Sequence, residues 1–560
     1  MLDWDVVDAL FPPDLPEPGQ FEDRFPPRRL PEGAEVTRFA PSPTGHLHVG
    51  SLYTATVSWS LARQTGGVHL LRIEDTDRSR LLHGAAERFV RVLRHLGLPS
   101  NEGEDDAAGA WGPYRQSLRE DVYLAYVRDL MRGGSAYPCF CDKDRLTRIA
   151  EEQRASRSPV GYYGRWASCR TLSPDEAARL LASGVPYIVR FRCPHEIPRR
   201  IRFRDEIRGT VTMLDNGNDV VLLKAAQEGR RLPTYHLAHV VDDHLMRVTL
   251  VVRGEEWLPS VPLHLQLHSA LGIAPPRYAH LAPLMKAEGS GRRKLSKRKD
   301  TEASVDYYLT AGYPVAAIRH YLRGLANSRL MDLPVEAAAD APLRLGEMGL
   351  AGPLLDLPKL RSISRAHIAS LRPEQVYDEV VRWAADHDGR LHEVYLGDRA
   401  AALRAIAVAQ GGDGRPRKDL ACWSDLRERY GFLHPELFVP VREPGDARFL
   451  GMDPELVRRI AADFALRYDH ADRQETWLGQ IRSLAERHGY APGARAHREH
   501  PERYLGPARQ VANVVRVCLT GSTVSPDLFE VARVLGEPEV LRRMGTVAAD
   551  PDRIADAVSR

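Results

Sequence analysis

The residues of this chain that are best suited to catalysis begin with residues 38–50, RFAPSPTGHLHVG. This segment joins a short apolar run to an amphipathic stretch that begins near Ser51. His48 and Gly50 stand at the predicted helix N-terminus, where unpaired N–H groups and the positive end of the helix dipole favour a phosphate. The small Gly50 lets a flat ring or a phosphate approach the backbone. The segment therefore predicts a nucleotide site.

A second reactive segment lies far downstream, at residues 294–299, KLSKRK. Lys294 and Lys297 on a mobile loop would neutralise charge on departing phosphate oxygens. Taken alone, a basic turn is more often solvated than functional. The two segments together, in this order, favour nucleotide chemistry.

Strands and helices must alternate to position these residues. Four apolar residues recur at helical spacing, Leu52, Ala55, Trp59 and Ala62, and Gly66-Gly67 ends that helix. Residues 68–73 are a short apolar strand, which predicts a βαβ unit in a parallel sheet over residues 36–135. Between residues 136 and 232, apolar residues alternate with arginines, as in half-buried antiparallel strands. Strand and helix patterns return in residues 233–290, and the chain is mainly helical after Asp300.

Composition limits the class of protein. A chain of 560 residues is too long for one core and should form several domains. No apolar run approaches the ~20 residues of a membrane span, and the acidic start is unlike a signal peptide. Six cysteines in this length indicate a reducing, cytoplasmic location. The net charge of +3 neither demands nor excludes nucleic acid, because local basic faces such as residues 199–204 could bind it; such a stretch is more often a solvated face.

The two reactive segments resemble the HIGH and KMSKS signatures of class I aminoacyl-tRNA synthetases. Residues 37–45 (TRFAPSPTG) and 71–77 (LRIEDTD) look like bacterial glutamyl-tRNA synthetases. The resemblance extends through residues 515–521 (VRVCLTG) and 526–530 (PDLFE), and covers nearly the whole chain.

This resemblance implies a multidomain α/β plus all-α protein, with a Rossmann-type catalytic domain split by an insertion and followed by a helical anticodon-binding region. The domains that we predict are an N-terminal extension (1–35), the first catalytic half (36–135), an acceptor-stem-binding insertion (136–232), the second catalytic half (233–290), a KMSKS and stem-contact region (291–360) and the anticodon-binding region (361–560).

The resemblance also implies an activity, the ligation of glutamate to tRNA(Glu). ATP, brought with Mg²⁺, would convert L-glutamate to glutamyl-adenylate and pyrophosphate, and the acyl group would pass to the 3′ end of the tRNA. By motif match the catalytic and ATP-binding residues are His48, Gly50, Lys294, Ser296 and Lys297. The family further suggests a monomer without membrane association.

Glutamate selection requires fixed charges of both signs, because buried charges must be paired. By motif match, Arg38 and Arg253 would bind the γ-carboxylate with the Tyr235 hydroxyl, and Glu74 with Ser42 would bind the α-ammonium. Arg253 and Glu74 each follow a predicted strand, at the usual ligand edge of an open α/β sheet. His239 would contact the substrate where many relatives have asparagine.

A structural zinc site is implied by relatives that use Cys-x-Cys with later Tyr or Cys ligands. Here the candidate ligands are Cys139, Cys141, Tyr163 and Cys169. Three thiolates and a tyrosine would close a tetrahedral site. The alternative is that these are free buried cysteines, which are common. The histidines and aspartates of residues 236–244 match a family segment without metal.

Three other functions stay open from the sequence. The protein could charge tRNA(Gln) as well as tRNA(Glu), or it could be a paralogue that glutamylates a modified tRNA base. A catalytically inactive tRNA-binding protein is a third alternative. The long C-terminal half argues against the paralogue, and the intact signatures argue against an inactive protein.

Overall fold

The structure is a computed structural model and describes residues 2–77, 81–104, 109–195, 198–215, 217–296, 298–411 and 416–548. The chain divides into two compact units. The first contains residues 1–307 and 319–356, and the second contains residues 308–318 and 357–560. Among the described residues, no helix is both long and apolar enough to cross a membrane.

The strands of the described residues all lie in the first unit. They are β1 (Val36–Phe39), β2 (Val68–Leu71), β3 (Ala136–Cys139), β4 (Ile188–Phe191), β5 (Arg200–Asp205), β6 (Gly209–Leu214), β7 (Val221–Leu223), β8 (Leu250–Gly254), β9 (Arg277–Leu281), β10 (Met285–Glu288) and β11 (Gly291–Lys294).

The helices that lie wholly in the first unit are α1 (Trp4–Asp8), α2 (Pro18–Arg24), α3 (Val49–Gln64), α4 (Ala85–His95), α5 (Glu120–Arg132), α6 (Lys143–Ala155), α7 (Pro174–Ala182), α8 (Tyr235–Leu245), α9 (Val261–Ala270) and α12 (Val335–Asp340). Helices α10 (Val305–Ala311) and α11 (Val315–Ala326) each contain a point at which the chain passes between the units, and a third such point lies between residues 356 and 357.

A parallel arrangement carries the site. Strand β1 pairs with β2 and β8 pairs with β9, in both cases in parallel. The Thr249 N–H donates to the Val36 carbonyl oxygen at 2.9 Å, which brings β8 beside β1. The strands are buried along most of their length because both faces of such a sheet are covered, even where they contain polar residues such as Arg38 and His280. Their carboxyl ends therefore meet at one edge.

The region predicted as an insertion contributes to two sheets. Strands β3, β4 and β7 form an antiparallel sheet in that order. Strand β5 pairs antiparallel with β6, as its alternating residues predicted, but it also pairs in parallel with β9 at Asp205–Tyr278. The hairpin thus extends the sheet that carries the site. Alternation identifies a half-buried strand but does not identify its neighbour.

The N-terminal extension is packed against the first unit. Its buried apolar side chains, Val7, Phe11, Leu15, Phe21 and Phe25, share a core with α5 and α8. The Glu22 carboxylate also lies 2.6 Å from His244 Nε2 and 2.8 Å from Arg247 Nη2, at the end of α8. The first 35 residues therefore support the helix that carries part of the site.

The second unit is helical throughout residues 357–411 and 416–548. Its helices are α13 (Leu357–Ser370), α14 (Pro373–His387), α15 (Gly389–Gly397), α16 (Arg399–Gln410), α17 (Ser424–Tyr430), α18 (Pro454–Arg467), α19 (Gln474–Arg487), α20 (Ala494–Glu499), α21 (Arg509–Thr520), α22 (Leu528–Leu535) and α23 (Glu537–Gly545). Two apolar cores stabilise it, one centred on α14–α17 and the other on α18, α19, α21 and α23. The predicted combination of an α/β part and an all-α part is confirmed.

Candidate functional site

A cleft of about 290 Å³ opens at the carboxyl ends of the parallel strands. This volume is close to the lower end for small-molecule sites. Six residues that were predicted to bind glutamate or ATP line it together, namely Arg38, Ser42, His48, Glu74, Tyr235 and Arg253. The cleft therefore combines charges of both signs with a helix N-terminus.

His48 caps helix α3. The Gly50 N–H donates to His48 Nδ1 at 2.9 Å. Since Nδ1 accepts, the neutral ring carries its proton on Nε2, which is a donor. A Cβ on Gly50 would lie 3.0 Å from His48 Nδ1. A side chain at position 50 would therefore crowd the cap, while the approach of a ligand to the Gly50 backbone stays a prediction.

Arg38 and Glu74 belong to a buried ion network. Arg38 Nε donates to Asp243 at 3.2 Å, Arg72 Nη1 donates to Asp243 at 2.5 Å, and Arg72 Nη2 donates to Glu74 at 3.1 Å. Burial opposes the charge of Asp243, but Arg38 and Arg72 outweigh it and hold the pKa of Asp243 well below its usual value. Burial raises the pKa of Glu74, with Arg72 and Arg38 opposing the rise.

Asp242, the neighbour of Asp243, has hydrogen-bond donors of its own. It accepts hydrogen bonds from Arg119 Nε at 2.7 Å, from Gln116 Nε2 at 2.9 Å and from the Tyr123 hydroxyl at 2.9 Å. Its partners come from α5 and the turn before it. Arg72 lies between the two carboxylates of α8, with its Nε 3.8 Å from Asp242 Oδ2 and its Nη1 2.5 Å from Asp243 Oδ1, so both acids help to fix Arg72 behind the cleft.

Arg253 contrasts with Arg38, because its contacts within the described part of the chain are to uncharged groups. It donates from Nε to His280 Nε2 at 3.0 Å, from Nη1 to the Tyr235 hydroxyl at 3.1 Å and from Nη2 to the Trp257 carbonyl oxygen at 3.4 Å. Its exposed fraction is only 5%. A buried guanidinium without a carboxylate partner is costly, so an anion fits here.

His280 fixes the orientation of Arg253. Its Nε2 accepts from Arg253, so the neutral ring has its proton on Nδ1, which lies 2.7 Å from Asp205 Oδ2. Burial lowers the pKa of His280, although Asp205 opposes this. A neutral imidazole therefore connects the arginine to a buried carboxylate at the end of β5.

His239 does not lie on the cleft wall, where substrate contact was predicted. Its ring stacks behind Tyr235, with centroids 5.5 Å apart and an interplanar angle of 14°. Burial lowers the pKa of His239 to about 3, although its Nδ1 lies 2.9 Å from Asp243. His239 is buried and is not among the residues that line the cleft, so its contact with the substrate stays a prediction. His239 supports the Tyr235 ring.

The lysine loop follows the β10–β11 hairpin. Lys294 ends β11 and is exposed, while Lys297, a predicted catalytic residue, lies outside the described residues. The Ser296 N–H donates to Asp300 at 2.9 Å. Asp300 also accepts two hydrogen bonds of 2.7 Å from Arg293, and Arg293 is the main cause that holds the pKa of Asp300 below its usual value. The buried Asp300 thus anchors the loop.

The loop is linked to the His48 segment just beyond Asp300. The Val305 N–H donates to the Leu47 carbonyl oxygen at 3.1 Å. Asp306 lies 2.8 Å from both His46 Nδ1 and Arg88 Nη2. The two segments with predicted nucleotide chemistry are therefore adjacent in the fold.

A sulfur cluster lies beside β3. The Sγ atoms of Cys139, Cys141 and Cys169 are all within 4.8 Å of one another. The fourth group is the Tyr162 hydroxyl, 3.3 Å from Cys141 Sγ. The predicted Tyr163 instead donates its hydroxyl to the Pro159 carbonyl oxygen at 2.6 Å. Neighbouring residues of this extended loop point to opposite sides, so the hydroxyl of Tyr162, and not that of Tyr163, lies beside the sulfur atoms.

A second cavity, of about 630 Å³, lies in the helical unit. Arginines line it, each of them paired with an aspartate, namely Arg417, Arg427, Arg429 and Arg448. Val439 and Val524, on its wall, are 80% and 78% exposed. Cationic groups beside exposed apolar side chains suit a partner with both phosphates and flat rings.

Several residues that shape the site were not singled out by sequence patterns, namely Arg72, Asp205, His280 and Asp300. Only Asp242 and Asp243 gave a signal, since two acids interrupt an apolar helical pattern. The others act through partners that the tertiary fold brings together.

Comparison with known proteins agrees with this geometry. Residues 35–331 match the family of class I tRNA synthetases (E and Q), catalytic domain, and residues 507–548 match an anticodon binding domain. A glutamate–tRNA ligase of Clostridium perfringens (strain 13 / Type A) is 37% identical, over 96% of this chain and 99% of the relative. A glutamate–tRNA ligase of Thermus thermophilus is 36% identical, over 91% of this chain and 98% of the relative.

Among solved structures, a glutamate tRNA ligase from Elizabethkingia meningosepticum in complex with its amino acid superposes with a TM-score of 0.73. It is 27% identical, and the match covers 92% of this chain and 99% of that one. The similarity thus includes both units of the fold.

Proposed function

Because the chain belongs to the glutamate–tRNA ligases of the class I tRNA synthetases, we propose that this cleft activates L-glutamate with ATP and transfers it to tRNA(Glu). The observation that carries the assignment of the amino acid is Arg253. It is buried, and its described contacts are to uncharged groups. A carboxylate satisfies this guanidinium, whereas the neutral amide of glutamine does so less well.

Glutamate would lie between the two charged sides of the cleft. Its γ-carboxylate would accept hydrogen bonds from Arg253 and the Tyr235 hydroxyl, with the positive charge of Arg38 nearby. Its α-ammonium would face the Glu74 carboxylate and Ser42. The paired charges of Arg38, Arg72 and Asp243 hold these groups in place before the substrate arrives, which reduces the cost of ordering them.

Adenylate formation joins an oxygen of the α-carboxylate to the α-phosphorus of ATP and breaks the bond from that phosphorus to pyrophosphate. His48 Nε2–H and the N-terminus of α3 would stabilise charge on the phosphates. Lys294, Ser296 and Lys297 would bind the departing pyrophosphate, and Mg²⁺ would enter with the ATP. The terminal adenosine hydroxyl of the tRNA then attacks the acyl carbon and AMP leaves.

The second cavity would receive anticodon bases. Residues 520–526 contribute to its wall and lie within the matched anticodon-binding domain. Arginines would contact phosphates, and exposed apolar side chains such as Val439 would pack against unpaired bases. Exposed arginines alone would bind any RNA, so base choice would depend on those packing contacts.

A structural zinc ion would fit the sulfur cluster. The Cys141 and Cys169 Sγ atoms are 3.6 Å apart, and two thiolates bound at ~2.3 Å to one tetrahedral zinc have a similar separation. Cys139, Cys141, Cys169 and Tyr162 would hold the ion, which would stabilise the loop between β3 and β4.

Charging of purified tRNA(Glu) with labelled glutamate in the presence of ATP and Mg²⁺ tests this function. Glutamine, aspartate and tRNA(Gln) transcripts serve as competitors. We expect charging of tRNA(Glu) with glutamate, and a protein that forms no glutamyl-tRNA with any tRNA would contradict the proposal. Size-exclusion chromatography of the same sample checks the expected monomer.

A further inference from the structure

Arg28 of the N-terminal extension is buried between two elements that carry charged groups of the cleft. Its side chain is only 5% exposed. Nη1 and Nη2 donate to the Glu102 carboxylate at 2.6 and 2.9 Å, and Nε donates to the Met246 carbonyl oxygen at 3.0 Å. The guanidinium carbon also lies 3.7 Å from the centroid of the Trp111 ring. Every nitrogen of the guanidinium is thus engaged, and these partners lie outside the lining of the cleft.

Glu102 joins Arg28 to the backbone beside β2. The Leu71 N–H, at the end of β2, donates to the Glu102 carbonyl oxygen at 2.9 Å. The Glu102 carboxylate, besides its bonds to Arg28, accepts a hydrogen bond of 2.6 Å from the Tyr114 hydroxyl. A carboxylate that is largely removed from water requires a cation and hydrogen-bond donors. Arg28 therefore fixes Glu102, and Glu102 borders the strand.

Tyr114 extends this support to the residues that follow β2. The Ile73 N–H donates to the Tyr114 carbonyl oxygen at 2.8 Å. On the other side of the same segment, the Glu74 N–H donates to the Pro41 carbonyl oxygen at 3.0 Å. The backbone that presents Glu74 to the cleft is thus held from both sides, and one of these sides is connected to Arg28.

The second element in contact with Arg28 is helix α8. Met246 lies at its C-terminus, where carbonyl oxygens have no partner within the helix and a cation is favoured by the helix dipole. The Met246 sulfur lies 3.8 Å from Arg72 Nη1, the nitrogen that donates to Asp243 at 2.5 Å. Arg28 therefore also fixes a residue that packs against Arg72.

We propose that Arg28 is a positioning residue for Glu74 and thereby for the α-ammonium of glutamate. This inference rests on the proposed function. Arg28 connects the strand end that carries Arg72 and Glu74 with the helix end that carries Asp243. The hydrogen bond of 3.1 Å from Arg72 to Glu74 requires these two elements to keep their spacing. Without Arg28, the Glu102 carboxylate loses its cation, and Glu74 is held less firmly towards the ammonium.

The test is the kinetics of charging by full-length variants of Arg28. R28Q should raise the KM for glutamate roughly tenfold, within the range for coupling between residues of one hydrogen-bond network. Its kcat and its KM for ATP should stay at the wild-type values, because the ammonium contact is made equally in the ground state and in the transition state. R28K keeps the charge but lacks the planar fork that reaches Glu102 and Met246 together, so its KM should rise about threefold.

Glutarate separates positioning of Glu74 from a general loosening of the cleft. It has the two carboxylates of glutamate but no ammonium group, so as a competitor it depends on the cationic side of the cleft. Its inhibition constant in R28Q should remain at the wild-type value. A distorted cleft would instead weaken the binding of glutarate and glutamate alike.

A matched control removes another cation that anchors the same extension. Arg132 of α5 binds Asp8 at 2.7 Å and Glu17 at 3.0 Å. Its ion pairs within the described residues are thus with the extension, as is its contact with the Trp4 ring. The variant R132Q loosens the extension at a distance from β2 and α8, and it should keep the wild-type KM for glutamate.

Three results would overturn the positioning role of Arg28. They are a folded R28Q with the wild-type KM for glutamate, equal rises of this KM in R28Q and R132Q, and an equal loss of affinity for glutarate in R28Q. If thermal melting shows that R28Q does not fold, R28K decides in its place, and a wild-type KM in R28K would then overturn the proposal. A wild-type protein that charges no tRNA with glutamate would overturn the proposed function instead.

Discussion

Arg253 and His280 are joined by a hydrogen bond of 3.0 Å between arginine Nε and imidazole Nε2. The imidazole in turn directs its Nδ1 proton to Asp205. The Arg253 guanidinium is thus held on one side by a neutral imidazole, which is itself fixed by the buried Asp205 carboxylate. Its other nitrogens contact Tyr235 and Trp257. This arrangement orients a positive charge towards the cleft without neutralising it.

Replacing Arg253 with glutamine should raise the KM for glutamate by orders of magnitude. The change removes one partner of a desolvated charge pair, which costs about 3–5 kcal/mol. The variant should also discriminate less well between glutamate and glutamine. The side-chain amide of glutamine would no longer be placed against a guanidinium whose charge it cannot neutralise. Steady-state charging with both amino acids measures this. Unaltered glutamate kinetics would place the γ-carboxylate elsewhere in the cleft.

Asp205→Asn should raise the KM for glutamate by about 10- to 100-fold, since a charged hydrogen bond contributes ~1.5–3 kcal/mol. The effect should pass through Arg253. In an Arg253→Gln background the same change should therefore add little, because coupled residues are not additive. Four-variant kinetics give the coupling, and strictly additive effects would exclude a positioning role for Asp205.

Lys297→Ala should slow adenylate formation by about 100- to 1000-fold, as is typical for loss of one group that stabilises developing charge. Glutamate binding should change little, because the interaction forms mainly in the transition state. Pyrophosphate exchange in the presence of tRNA measures the rate. Lys299→Ala is the control on the same loop, and equal losses in both variants would indicate a general charge effect.

Glutamate binding should weaken as the pH falls through the pKa of Glu74. Burial raises that pKa above 4.5, with Arg72 and Arg38 opposing the rise. The deprotonated form is the one that attracts the α-ammonium, so the KM should rise on the acidic side of the raised pKa. A pH profile of KM checks the direction. In the variant Glu74→Gln the KM for glutamate should be high and should not change with pH in this range. If that variant keeps the wild-type pH profile, the titrating group is not Glu74.

The purified protein should contain one zinc per chain, measured by mass spectrometry of the metal. Cys169→Ala should abolish it because a tetrahedral site loses a thiolate. Tyr162→Phe should lower the affinity for zinc, and Tyr163→Phe is the matched control that should not. Equal zinc content in the two phenylalanine variants would exclude Tyr162 as a ligand.

The sequence predicted the parts of the site that depend on local structure. Glu74 and Arg253 follow apolar strands, and the carboxyl ends of parallel strands converge, so their proximity could be inferred from the order of the elements. The cap at His48 was likewise visible as a helix start. The roles of Glu74 and Arg253 in binding glutamate, by contrast, are implied by the match to the family's motifs.

Other parts of the site depend on contacts between distant segments. His280 and Asp205 come from strands that meet only because β5 joins the sheet beside β9, which no local pattern reveals. Tyr162 lies beside the sulfur cluster where the sequence pointed to Tyr163, and this depends on the path of an irregular loop. Helical spacing places His239 on the same face as Tyr235 but does not reveal that its ring is buried behind that residue.

The packing of the N-terminal extension has a practical consequence for expression of the catalytic part. A protein shortened to start at Val36, the first residue of β1, would expose the apolar surface of α5 and α8 that Phe21 and Phe25 now cover. It would also lose the anchor of Glu22 on His244 and Arg247. Exposed apolar surface of this kind promotes aggregation, so the shortest soluble catalytic fragment should retain the residues before β1.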